Sequence, residues 1–289
     1  MAELVADTKR KVYGSLPEQI NLIGADAVAG ATTLELEMSA EGITPGMLVS
    51  SGLNVWFVRG VNANTNTLTV IPGYEGSPQA AVQTGDFLYI RPRVTDWYLF
   101  NELNSVVRSM SSPHSGLYRI ATFDLEVDSV WQTYNIPTEA QDMVGILSVR
   151  VLEPSSDDLW VTVPDRYYRW QAQENILRIM YNVPSTSTIQ VVYKAPFAAA
   201  TSLADDVVDD MGLADTMVDI PPLGAAASLL RTTEARRGQI AVQGDPRRSE
   251  DVQRGANGSA SMMFEQQYRD RVGEEHVRLI QRTGIYRGI

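Results

Sequence analysis

The feature that most constrains this chain is a hydrophobic period that switches from two to helical and back. Between residues 22 and 93, short apolar or alternating runs such as Thr33-Leu34-Glu35-Leu36-Glu37, Val55-Trp56-Phe57-Val58 and Thr67-Leu68-Thr69-Val70 are separated by Thr44-Pro45-Gly46, Asn62-Ala63-Asn64 and Pro72-Gly73. Period two with turn residues between the runs is the mark of a half-buried antiparallel sheet. Phe87-Leu88-Tyr89-Ile90 closes the set before Pro92, and the segment after a short lead is expected to form a small β-barrel of five or six strands. At Thr95 the period changes. A threonine cap followed by Asp96 precedes Trp97, Phe100, Leu103, Val107 and Met110, which share one face of a helix over 95–111 that Pro113 ends.

The alternation then returns. Runs at Leu117–Glu126, Trp131–Ile136, Gly145–Leu152, Trp160–Val163, Tyr168–Gln171, Ile176–Tyr181 and Ile189–Tyr193 predict a β-sandwich. Beyond 198 strand signals vanish. Asp219-Ile220-Pro221-Pro222-Leu223 reads as a helix start, the alanine-rich 223–237 as its body and Gly238 as its end. The polar, glycine-bearing 243–260 reads as an exposed loop, and Ser261–Arg282 as a last helix with Phe264, Tyr268, Val272 and Leu279 on one face. The expected fold class is α+β, mainly antiparallel: a small β-barrel plus a β-sandwich, with a small helical bundle formed by a central helix and C-terminal helices. Its expected divisions are 1–93 with the barrel at about 22–93, the bundle helix 94–116, the sandwich 117–197, and a helical and extended docking region 198–289. A chain of 289 residues exceeds one core of about 100–200 residues, which fits several units.

Composition narrows the chemistry. There is no cysteine, so disulfides, thiolate nucleophiles and sulfur-ligated metals are excluded, and the only histidines are His114 and His276. The sequence contains no phosphate loop, dinucleotide fingerprint, nucleophile elbow or His-Glu-x-x-His. The expectation is a protein that is not an enzyme and needs no cofactor or metal. No apolar run reaches the roughly 20 residues that span a bilayer, and the opening MAELVADTKRK lacks a signal-like stretch, so no membrane contact and assembly in a cytoplasm are expected.

A net charge of −11 argues against a surface generally suited to nucleic acid, yet the charge is segregated. Residues 201–220 hold six aspartates and no base, while 231–289 hold eleven arginines against eight acids. Lysine occurs only at Lys9, Lys11 and Lys194, so the basic charge is almost wholly guanidinium, which suits planar contacts with carboxylates and is equally a product of base composition. Asp205, Asp206, Asp209 and Asp210 on one side, and Arg231, Arg236, Arg237, Arg247, Arg248 and Arg254 on the other, are the candidate protein-interface residues. The arginine stretch has almost no aromatic residues interleaved, which favours a protein contact over single-stranded nucleic acid.

Other constellations have competing explanations. The aspartates at 205–219 could hold calcium, but their spacing lacks the alternate-ligand loop and a solvated acidic face accounts for them. Glu139, Asp142, Glu153, Asp157 and Asp158 could supply a glycosidase pair beside a sugar platform of Tyr167, Tyr168 and Trp170; strand-edge charge and sandwich core account for the same residues. His114 lies in a turn, and His276 lies on the last helix near an arginine and two glutamates; structural roles suit both.

Val192-Tyr193-Lys194-Ala195-Pro196-Phe197, Leu203, Asp205-Asp206, Gly212-Leu213, Asp219-Ile220-Pro221-Pro222-Leu223-Gly224-Ala225-Ala226, Leu229-Leu230 and Gln243-Gly244-Asp245-Pro246-Arg247-Arg248, with Val252 and Gly255, form a further pattern. It is similar to adaptor-type virion proteins of actinobacteriophages, over about 190–282. The resemblance implies a non-enzymatic homo-oligomeric ring of about twelve copies at the capsid vertex, bound to the portal protein on one face and to tail or neck proteins on the other. DNA would pass through its lumen, with non-specific contact. A different neck or tail subunit, for tail completion or fibre anchoring, and a glycan-binding receptor module are the alternatives. The barrel at 22–93 lies outside the resemblance.

Overall fold

A computed structural model describes residues 1–14, 18–127, 133–152, 159–180, 183, 187–243 and 256–283, with backbone alone at 234–243, 256–257 and 282–283. The architecture is α+β with mainly antiparallel strands. It divides into two compact units. One comprises Met1–Val106, Ala200–Asp210 and Met217–Asp270; the other comprises Val107–Ala199, Met211–Thr216 and the chain from Arg271.

The first unit opens with a helix, α1 (Ala2–Tyr13), where the sequence reading sees only a lead. Its charged residues dilute the apolar signal, but Leu4, Val5 and Thr8 form a buried face, and α1 packs on the alanine-rich helix described below. The buried Thr8 hydroxyl donates to Leu4 O at 2.7 Å, which removes the cost of burying it. Gly14, at φ 65°, ends the helix by donating its N–H to Arg10 O.

Next come β1 (Gln19–Leu22), β2 (Thr33–Glu35), β3 (Leu48–Ser51), β4 (Asn54–Asn62), β5 (Thr67–Ile71) and β6 (Phe87–Ile90). They form one antiparallel sheet in the order β1-β6-β3-β4-β5-β2. The two outer strands meet: Gly24 N–H donates to Glu35 O at 2.8 Å and Glu37 N–H to Leu22 O at 2.9 Å, with Ile23 bridging Leu36, so the sheet closes into a barrel. Gly24 is required at this seam, because a Cβ there would sit 2.8 Å from the Leu36 carbonyl carbon. Ile23, Leu34, Val49, Val58, Leu68 and Leu88 fill the interior, each from the inward position of its alternation. On β4 a register shift between Val58 and Gly60 bulges Arg59 outward.

The bundle of the first unit contains α1, the front of α2 (Asp96–Met110), α3 (Ile220–Gln243) and the front of α4 (Ala256–Thr283). Thr95 caps α2, accepting the Tyr98 N–H at 3.3 Å, and Leu99, Phe100 and Leu103 point inward. Between Ile220 and Leu230, α3 is buried almost all round, which explains why it carries alanines and little amphipathic contrast. Gly224 lets it approach its neighbours: a Cβ would lie 2.7 Å from Val106 Cγ1 and 3.2 Å from the Tyr268 ring. Buried Ser261 of α4 donates to Ala227 O at 2.8 Å. Two boundaries correct the sequence expectation. α3 continues through Gly238 to Gln243, and α4 begins at Ala256, running through Gly258. Glycine in a helix interior costs only about 1 kcal/mol and is not a reliable stop.

The second unit holds β7 (Arg119–Glu126), β8 (Thr133–Asn135), β9 (Gly145–Leu152), β10 (Trp160–Val163), β11 (Tyr168–Gln171), β12 (Ile176–Ile179) and β13 (Thr188–Ala195). They make a four-stranded sheet, β10-β9-β13-β7, and a three-stranded sheet, β11-β12-β8. Val149, Val151, Val163, Ile189 and Val191 of the first pack against Tyr134, Leu177 and Ile179 of the second, forming a sandwich core. The back of α2 and the rest of α4 also belong to this unit.

Candidate interaction surface

The acidic run at 201–210, in the first unit, is a built loop rather than a loose charge cluster. Asp205 is its hub: Oδ2 accepts the Thr201 N–H at 2.6 Å, the Thr201 hydroxyl at 3.0 Å and the Ser202 N–H at 3.1 Å, while Oδ1 accepts the Ser202 hydroxyl at 2.5 Å. The Ser202 hydroxyl, followed by the N–H donors of Thr201 and Ser202, holds this carboxyl far below the ordinary carboxylate range. Asp206 accepts the N–H groups of Val208 and Asp209 at 2.7 and 2.9 Å, the Asp209 N–H being the larger cause of its lowered pKa. Asp210 in turn accepts the Asp206 N–H at 2.7 Å. These are side-chain-to-backbone turns that aspartate makes and glutamate cannot. Ala2 N–H donates to Leu203 O at 3.0 Å, tying α1 to the same loop.

Asp206, Asp209 and Asp210 are exposed, and Val208 stands among them, 36% exposed. The Asn104 side chain on α2 holds the base of the loop: its amide donates to Ala200 O at 3.0 Å and its carbonyl accepts Ala200 N–H at 2.9 Å. Among the described residues no group of three or more acidic or histidine side chains is arranged to hold a metal ion.

The arginines are placed differently. Arg231, on α3, pairs with Glu265 of α4, which also pairs with Arg269. Arg236 and Arg237 lie on the described backbone of α3, but their side chains are outside the described set; Arg247, Arg248 and Arg254 lie outside the described residues altogether. The structure thus brings the aspartates together in one loop and places Arg231 in a separate α3–α4 ion pair.

In the first unit Lys9 bridges α1 and α2. Its Nζ lies 2.6 Å from Asp96 and 3.8 Å from Glu18, and 4.8 Å from the centre of the Tyr89 ring. Burial pulls its pKa down, but the Asp96 charge and hydrogen bond, with Glu18 and Tyr89, carry it above the ordinary lysine value.

A groove of about 480 Å³ at one end of the barrel is lined by Pro45, Met47, Leu48, Arg91 and Pro92, among others. Arg91 stands at φ 50° with its N–H donating to Leu48 O at 2.8 Å, and its exposed guanidinium has no partner among the described residues. Sequence reasoning passed over this residue because a lone arginine before a proline carries no pattern.

Of the alternative constellations, Asp142, the Tyr167–Tyr168–Trp170 group and His276 make structural contacts within the second unit. Asp142 pairs with Arg119 at 3.3 Å, and Arg119 Nε donates to Pro196 O at 3.0 Å. Tyr167, Tyr168 and Trp170 are half-buried against the sandwich core, and the Tyr168 hydroxyl donates to Asp165 at 2.8 Å. Glu139 is exposed, and Glu153, Asp157 and Asp158 lie outside the described residues. His276 Nδ1 is 3.3 Å from Gly116 O, and His114 is exposed in its turn. No described helix is long and apolar enough to cross a membrane.

No protein-family model matches the chain, and no curated protein matches its sequence.

Proposed function

We propose that this chain is a structural virion subunit of a tailed bacteriophage: a head-to-tail adaptor, present as one copy in a ring between portal and tail, with DNA passing through the lumen. One observation carries the reading. Residues in the adaptor-like pattern occupy positions where the backbone demands their type. Asp205 is the hub of a turn, Gly212 has φ 76° beneath the Arg119 side chain, Pro221 and Pro222 open α3, and Gly224 sits where a Cβ would collide. Likeness at such positions supports a shared three-dimensional form, and the functional reading rests on that analogy of form.

The test is localisation by electron cryomicroscopy of intact particles with density assigned to this chain. The reading expects it directly beneath the portal, with the portal's rotational order. Density in the distal tail, or a copy number unlike the portal's, would favour the tail-completion or fibre-anchoring subunit and overturn the adaptor.

A further inference from the structure

The groove at Arg91 and the acidic loop at 206–210 lie toward opposite ends of one strand of the same barrel. Leu48, at the start of β3, lines the groove, and Gly52, just past its end, lies against the Leu203 side chain at the root of the loop. Four residues of extended chain separate these ends by about 13 Å.

The two features are chemically complementary. The groove has apolar walls, Pro45, Met47, Leu48 and Pro92, and one guanidinium that has no partner among the described residues and whose backbone is fixed by the Arg91-to-Leu48 hydrogen bond. The loop offers an exposed apolar knob, Val208, flanked by the exposed carboxylates of Asp206, Asp209 and Asp210. The loop is already ordered by its own aspartate turns, so docking it costs little conformational entropy.

From this pairing we propose that the loop Asp206–Asp210 of one copy of this chain docks in the Arg91 groove of the next, Val208 seating between Met47 and Pro92 and the carboxylates facing Arg91. A patch that fits a different patch on an identical neighbour is a heterologous contact, and such contacts generate rings when the rotation between copies closes. The inference rests on the ring reading above and names the surfaces through which copies would meet.

The chain contains no cysteine, so Met47→Cys and Val208→Cys each introduce a sole thiol. The two full-length variants are mixed and oxidised, both in solution and on assembled particles, and the disulfides are read on a non-reducing gel. The mixed disulfide is expected to exceed either homodimer by about tenfold, because docking raises the effective thiol concentration. Arg91→Glu in the Met47→Cys chain should abolish that excess, and Asp209→Arg in the Val208→Cys chain should restore it, with thermal melts confirming that every variant is folded. If native mass spectrometry shows rings but no excess of mixed disulfide appears and the charge swap restores nothing, the groove contact is wrong while the ring reading stands. A chain found as a single copy both in solution and in particles would overturn the two together.

Discussion

In the second unit the Thr216 hydroxyl donates at 3.0 Å to the carboxylate of Glu275, which is only 2% exposed. The same carboxylate pairs with Arg278 and lies 3.5 Å from Arg271, whose guanidinium also donates to Thr216 O at 2.7 Å. Glu275 thus fastens segment 211–216 to the back of α4. Glu275→Ala removes the acceptor of the Thr216 hydroxyl and the nearer support of Arg278, while Arg271 keeps Glu274, and should destabilise by about 1–3 kcal/mol. Thr216→Val, which removes one hydrogen bond, should cost about 1 kcal/mol. Urea unfolding of both variants and the double mutant checks this; equal losses would show that the hydroxyl and not the charge holds the segment.

Three glycines should respond to alanine in different ways. At Gly24 the added Cβ meets backbone of Leu36 and Glu37 at the barrel seam, and at Gly224 it meets Val106 and Tyr268. Each is expected to lose about 1–3 kcal/mol through overpacking. Gly273, on the exposed side of α4, has nothing within 4 Å, and alanine there should add about 0.5–1 kcal/mol of helix stability. Thermal melts of the three variants give the signs directly.

Asn104→Asp replaces the amide that donates to Ala200 O by a carboxylate, setting two acceptors against each other in a buried site. A loss of about 2 kcal/mol is expected, with faster amide exchange at Ala200. An unchanged exchange rate there would mean that the loop base is held by other contacts.

Stability should respond to pH at both extremes. Asp205 and Asp206 have folded pKa values below the carboxylate reference of 3.8, so their contribution is present above that value and disappears as pH falls through the lower folded values. Lys9 is the opposite case: its folded pKa is above 10.5, so its contribution is complete below 10.5 and disappears as pH rises through the folded value. Carboxylate and lysine NMR titrations should place Asp205 and Asp206 below 3.8 and Lys9 above 10.5.

If the arginine-bearing segment docks on a partner, Arg247→Gln with Arg248→Gln should weaken assembly onto a portal ring and flatten its salt dependence, leaving the melt unchanged. Substitution is the cleaner route, because truncation at this point would also remove Ser261 and Tyr268, which pack against α3. Equal portal occupancy for the variant and the parent chain at both salt concentrations would assign docking elsewhere.

Most strands were legible because apolar residues alternate with polar ones along them, as in β13, where Ile189, Val191, Tyr193 and Ala195 face the core; β1 was not, since it precedes the segment read as the barrel and turns Asn21 inward. Pairing was not legible, since β1 joins β6 across most of the barrel sequence and nothing local encodes it. α1 went unseen because its buried face is short and includes Thr8. Glu274 and Glu275 are adjacent and alike in sequence, yet one is exposed and the other is the buried clamp; only the fold separates them. The same holds for the acidic loop, where the aspartates are conspicuous in the sequence but their turn-forming bonds are not.

The seam between Gly24 and Glu35 has a consequence for evolution as well as for packing. A sheet joined to itself at this seam pairs outer strands that would otherwise present open edges to a foreign strand, which lowers the risk of templated aggregation before the chain has met any partner. Such a self-paired module can be gained, lost or exchanged between related proteins with little risk to the remainder of the polypeptide, provided its entry and exit points stay close together.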